Sequence, residues 1–123
     1  MRVCLLIGLA TLCATPASAQ DMNAQRLYEA GVALKAQGPL ALVTPEFREI
    51  REELQAAADA ARAEARANKA AGRKPRFCAP EGEQTMGSGE LIRRVEMIPE
   101  AERRKIDSQE MMTRVLAQKY PCT

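Results

Sequence analysis

The stretch TPEFREIREELQAAADAARAEARANKAAG, residues 44–72, decides the fold class. Thr44 offers a capping hydroxyl, Pro45 suits the first helical position, and Glu46 places an acid in the first turn. Phe47, Ile50 and Leu54 then recur about a turn apart, and an alanine-dominated run follows from Ala56 to Ala71. Gly72 fits the position just past a helix end. Acids (Glu46, Glu49, Glu52, Glu53) crowd the beginning, and bases (Arg62, Arg66, Lys69, Arg73) fill the second half, the polarity a helix dipole favours. The spacing predicts one long helix over 44–72. After Leu54 its apolar stripe is almost wholly alanine, so that part either packs very closely on a partner helix or stands in solvent on propensity alone.

Upstream, Asp21 or Asn23 can cap a first helix ending near Gln37, with Leu27, Ala30 or Gly31, and Leu34 inward and Tyr28 at the border. Gly38-Pro39 stops it. Leu40-Ala41-Leu42-Val43 has strand-like composition but no partner strand, and reads as a buried turn. Downstream, residues 74–87 are a Pro/Gly-rich linker. Ser88 can cap a third helix carrying Leu91, Ile92, Val95 and Ile98; a short turn follows over Glu100 to Lys105. Asp107 and Glu110 have capping-box spacing at the start of a last helix, whose inward side is Met111, Met112, Val115 and Leu116. Pro121 ends it. The expected architecture is all-α: a small bundle of about four helices, one of them long and Ala-rich.

The N-terminus has a different character. Met1-Arg2 is basic, an apolar run extends from Val3 to Ala14, Pro16 breaks it, and Ala17-Ser18-Ala19 supplies small residues. This is the order of a secretory signal peptide over residues 1–19, with cleavage after Ala19. The apolar run is shorter than the roughly 20 residues a spanning helix needs, which argues against a retained anchor. Cys13 is preceded by Leu12 rather than a small residue, which argues against lipidation. The expected location is therefore periplasmic or secreted, without stable membrane insertion after cleavage.

Cleavage would remove 19 of the 123 residues, leaving a single helical domain over 20–123. Of the 18 basic residues only Arg2 goes, leaving 17 against 16 acidic, a balance that gives no global argument for nucleic acid. The run Arg62 to Arg76 holds six bases against Glu64 alone. It reads as a solvated helix end, weighed against a patch for an anionic partner. Cys4 and Cys13 would leave with the signal; the remaining pair, Cys78 and Cys122, reads as a disulfide in an oxidising compartment.

Catalytic apparatus is not visible. The chain has no histidine, which removes serine–histidine and cysteine–histidine nucleophiles and the commonest metal ligand. Glu81 and Glu83 are neighbouring loop acids, of the kind that ordinarily solvate a linker. Gly87 and Gly89 precede a helix, but no lysine follows and no strand precedes, so they do not make a phosphate loop. The expectation is a non-enzyme with no metal and no cofactor.

Phe77-Cys78-Ala79-Pro80-Glu81-Gly82, a capped helix over 88–98, the turn Ile98-Pro99-Glu100, a last helix and the ending Tyr120-Pro121-Cys122 resemble the Rap/Tai immunity-protein family. The resemblance covers residues 77–122 and none of the Ala-rich helix. It implies a small exported helical protein that binds a peptidoglycan-cleaving amidase effector of type VI secretion, and it supports the Cys78–Cys122 pairing. No binding residue carries over; a rigid linker over 79–87 could occupy the enzyme's cleft. The alternative is a periplasmic helical interaction module, structural or homodimeric, docking through the Ala-rich helix. An acid-stress chaperone also fits the size and the single disulfide.

Overall fold

The computed structural model describes residues 22–82 and 84–123; the expected signal peptide over 1–19 lies outside them. Helix α1 spans Ala24–Gln37, a 3₁₀ segment Gly38–Val43, α2 Pro45–Ala70, α3 Ser88–Glu96, α4 Glu100–Arg103 and α5 Ser108–Lys119. Among the described residues there is no strand, only an isolated bridge between Asn23 and Asp107. The fold is all-α, with one long helix and one disulfide, as the sequence predicts.

Local signals set the helix ends. The Asn23 side chain accepts the Arg26 amide at 2.9 Å, the Thr44 hydroxyl accepts that of Phe47 at 3.1 Å, and Asp107 accepts that of Glu110 at 2.7 Å. Two expectations shift. Gly87, not Ser88, caps α3 and makes no side-chain bond there; Ser88 is already helical. The Asp107–Glu110 box is half-formed, because the Glu110 carboxylate turns away to Arg76 and Arg114. The turn predicted over Glu100 to Lys105 contains the single helical turn α4.

The core lies between α2 and α5, and α1 and α3 close it. Ala57 and Ala61 are buried on α2; Met111, Met112, Val115 and Leu116 are buried on α5. Alanine lets two helix backbones approach closely, so here the sparse stripe of α2 is an inward face. From Arg66 onward α2 has no buried residue, so its last turns stand in solvent. Leu27 and Leu34 of α1 join the core, and a Cβ added at Gly31 would lie 3.9 Å from Ile92 of α3.

The connector Leu40–Val43 is a turn but not a buried one. Ala41 alone is inside, while Leu40, Leu42 and Val43 are 76%, 62% and 83% exposed. Gly38 takes a positive φ of 69° to leave α1, and the Thr44 hydroxyl donates to the Ala41 carbonyl at 2.7 Å. Three residues per turn in so short a segment bring one side chain inward and leave its neighbours out.

Candidate functional site

The cysteines are joined: Cys78 and Cys122 form a disulfide with Cα atoms 4.9 Å apart. It is one of several ties that fix the segment 77–87 to the end of α5. Phe77 is 3% exposed and anchors the segment in the core. The Cys78 amide donates to the Tyr120 carbonyl at 2.8 Å. On the far side, the Tyr120 hydroxyl donates to the Gln84 side chain at 3.0 Å and the Lys119 ammonium to the Thr85 carbonyl at 3.2 Å. Ala79 and Met86 pack against the core.

Pro80, Glu81 and Gly82 form the exposed tip, where Gly82 reverses the chain with φ 98°. A side chain is strongly disfavoured in that backbone conformation. Glu81 is therefore displayed on a loop held on both sides, and Glu83 lies outside the described residues. Among the described residues, no three Cys, Asp or Glu side chains gather where a metal ion could be held.

The support beneath this loop is electrostatic. Lys119 also reaches Glu90 of α3 at 3.1 Å, and Arg94 reaches the same carboxylate at 3.0 Å. These two cations, Lys119 foremost, hold the Glu90 carboxyl below its ordinary range. Arg76, where the linker enters, makes a two-pronged pair with Glu110 at 2.6 and 2.7 Å. Glu110 also receives Arg114 at 2.9 Å. Hydrogen bonding from Arg76 and then Arg114 outweighs burial and lowers the Glu110 carboxyl to about 2.

Two residues of structural weight are invisible to sequence reasoning. Glu53, one of the acids assigned to the helix start, is 2% exposed and accepts the Ser108 hydroxyl at 2.7 Å across α2 and α5. Arg103 is 7% exposed, with its guanidinium 4.4 Å from the Tyr28 ring centre. It donates to Gln25 at 2.8 Å and to the Ile98 carbonyl at 2.7 Å, closing the end of α3. Tyr28 in turn donates to Glu96 at 2.9 Å. These contacts knit α1 to α3 and α4.

Two open grooves, one of about 610 Å³ along α3 and one of about 400 Å³ between Arg76, Glu102 and Arg114, share the exposed Met97. Of their carboxylates, Glu90 and Glu102 are paired with Arg94 and Arg114, and Glu96 accepts the Tyr28 hydroxyl. No family model matches the chain, nor does any curated protein or solved structure.

Proposed function

We propose that this chain is an exported, non-catalytic inhibitor that blocks a cell-wall-degrading amidase by seating the loop 79–87 in the enzyme's cleft. The observation that carries the reading is the exposed Pro80-Glu81-Gly82 tip, tied down on both sides by the disulfide and by Lys119 and Tyr120. A loop already fixed in shape loses little conformational freedom on binding, which favours tight occupation of a cleft. The resemblance of residues 77–122 to Rap/Tai immunity proteins points to the same class of partner. The test is capture of a wall hydrolase from periplasmic extract, followed by assay of peptidoglycan cleavage with and without the protein. Recovery of a hydrolase that is inhibited by the native chain, and much less by E81K, is expected. If no hydrolase is captured, or cleavage proceeds undiminished, the reading fails.

A homodimeric interaction module is the second reading, favoured by the exposed apolar trio Leu40, Leu42 and Val43. Large apolar side chains gathered in one six-residue segment mark contact surfaces more often than isolated ones do. Sedimentation of the native chain against an L40S/L42S/V43S variant decides it. A dimer that becomes a monomer with unchanged helicity supports this reading; a native monomer at all concentrations rejects it.

A further inference from the structure

From Arg66 to Lys74 no residue is buried, and only Asn68 is half-covered. Earlier in α2, Ile50, Glu53, Ala57 and Ala61 return to the core every turn. The helix thus leaves the packed body at its basic end, carrying Arg66 and Lys69, and beyond Gly72 the non-helical chain continues into Arg73 and Lys74. None of these four cations makes an ion pair among the described residues. The Arg73 guanidinium donates to the Asn68 side chain at 3.2 Å, and the Arg73 amide to the Asn68 carbonyl at 2.8 Å. Further along the chain Arg76 is matched with Glu110, Arg94 with Glu90, and Arg114 with Glu102 and Glu110. Cations such as Arg26, Lys35, Arg48 and Arg51 make no ion pair among the described residues either, but they are not gathered on one projecting end.

Service to the helix dipole accounts for Lys69 in the last turn, and not for the rest. Arg62 and Arg66 are four apart and Arg66 and Lys69 three apart, so the helical neighbours along this run are like-charged. Such spacings oppose helix stability. No acid occurs between Glu64 and Glu81 to relieve them.

We propose that this projecting end, Arg66 to Lys74, is a docking surface for a membrane bearing anionic lipids. The residues between the cations are Ala67, Asn68, Ala70, Ala71 and Gly72. Protein interfaces gain their affinity from a buried apolar or aromatic centre, which is missing here. Binding of single-stranded nucleic acid uses aromatic platforms, and the nearest aromatic, Phe77, is in the core. Adsorption to a charged bilayer needs only cations that can reach the headgroup phosphates, each contributing about fivefold in partition. A projecting tip with no buried residue can meet a plane without displacing the bundle. The export reading also places the chain beside a membrane.

The test is co-sedimentation of the full chain with vesicles of phosphatidylethanolamine and phosphatidylglycerol, against vesicles of phosphatidylcholine alone. The ratio of the two partitions cancels any apolar contribution from residues 3–14. A ratio well above one is expected, falling as salt rises and the screening length shrinks from about 30 Å to about 8 Å. The variant R66Q/K69Q/R73Q/K74Q should lower it on the order of a hundredfold or more. A charge-matched control, R26Q/K35Q/R48Q/R51Q, should retain most of it, with helicity of both variants checked by circular dichroism. A native ratio near one overturns the proposal. So does equal loss in the control, which would reduce the effect to net charge, and so does tighter binding to a short DNA duplex than to the anionic vesicles.

Discussion

Arg103 shows how a charged side chain can hold a small helical core together. Its guanidinium lies on Tyr28 and caps carbonyls at the end of α3, so its donors are used where water is excluded. Arg103→Met would leave the Ile98 carbonyl and the Gln25 amide oxygen without their donor. We expect a loss of about 2–3 kcal/mol in urea unfolding; a loss under about 0.5 kcal/mol would deny Arg103 this role. Glu110 belongs to the same scale and makes a pH prediction. Its folded carboxyl sits at about 2 against an ordinary 4.5, so its ion pairs stabilise the fold above 4.5. That stabilisation is lost as pH falls from 4.5 toward about 2. Thermal melts across this interval should fall steeply for the native chain and less steeply for E110Q. The E110Q variant should also be less stable at neutral pH by about 1 kcal/mol, since Arg76 and Arg114 are partly solvated. Identical slopes would remove Glu110 from the acid response. Asn23, Thr44 and Asp107 could be read as caps because each bonds an amide three residues away. Arg103 and Glu53 could not, because their partners Gln25 and Ser108 are 78 and 55 residues distant in the chain.

Helix α2 combines two behaviours within one alanine-rich sequence. Composition alone allowed it either to pack closely or to stand in solvent, and it does the first through Ala61 and the second beyond Arg66. Alanines occur on nearly every side of the helix, so periodicity carries little information about which of them face α5. The 3₁₀ segment shows the converse: Leu40, Leu42 and Val43 are apolar enough for a core, but six residues between two capped helices offer only Ala41 a place in it. The close α2–α5 approach makes a graded prediction. Ala57 and Ala61 are 0% and 1% exposed, and leucine at either must push the helices apart, at a cost of about 1–3 kcal/mol. A67L, on the solvated end, should change stability by less than about 0.5 kcal/mol. Chemical denaturation of the three variants reads this directly, and equal effects at Ala61 and Ala67 would contradict the packing of α2 on α5.

For the whole molecule, the disulfide converts residues 78–122 into a closed loop containing α3, α4 and α5, while α1 and α2 remain outside the ring. The ring's ends are also held without sulfur, by the burial of Phe77 and the bond from the Cys78 amide to Tyr120. Two contributions must therefore be separated: restriction of the unfolded chain, and bracing of the native loop. Closing a loop of this size should contribute about 4 kcal/mol through the unfolded state. In C78A/C122A the unfolding midpoint in urea should drop accordingly, and the denaturant slope should rise because the unfolded chain expands further. Bracing is read in the native state. Under conditions where the variant remains folded, a Glu-specific protease should cut after Glu81 faster in the variant than in the oxidised chain. Equal cutting rates would assign the rigidity of the tip to Tyr120 and Lys119 alone, leaving the disulfide a purely entropic restraint. Faster cutting at unchanged helicity would instead show that the covalent tie shapes the exposed tip, so that a reducing environment would loosen the tip before it unfolds the bundle.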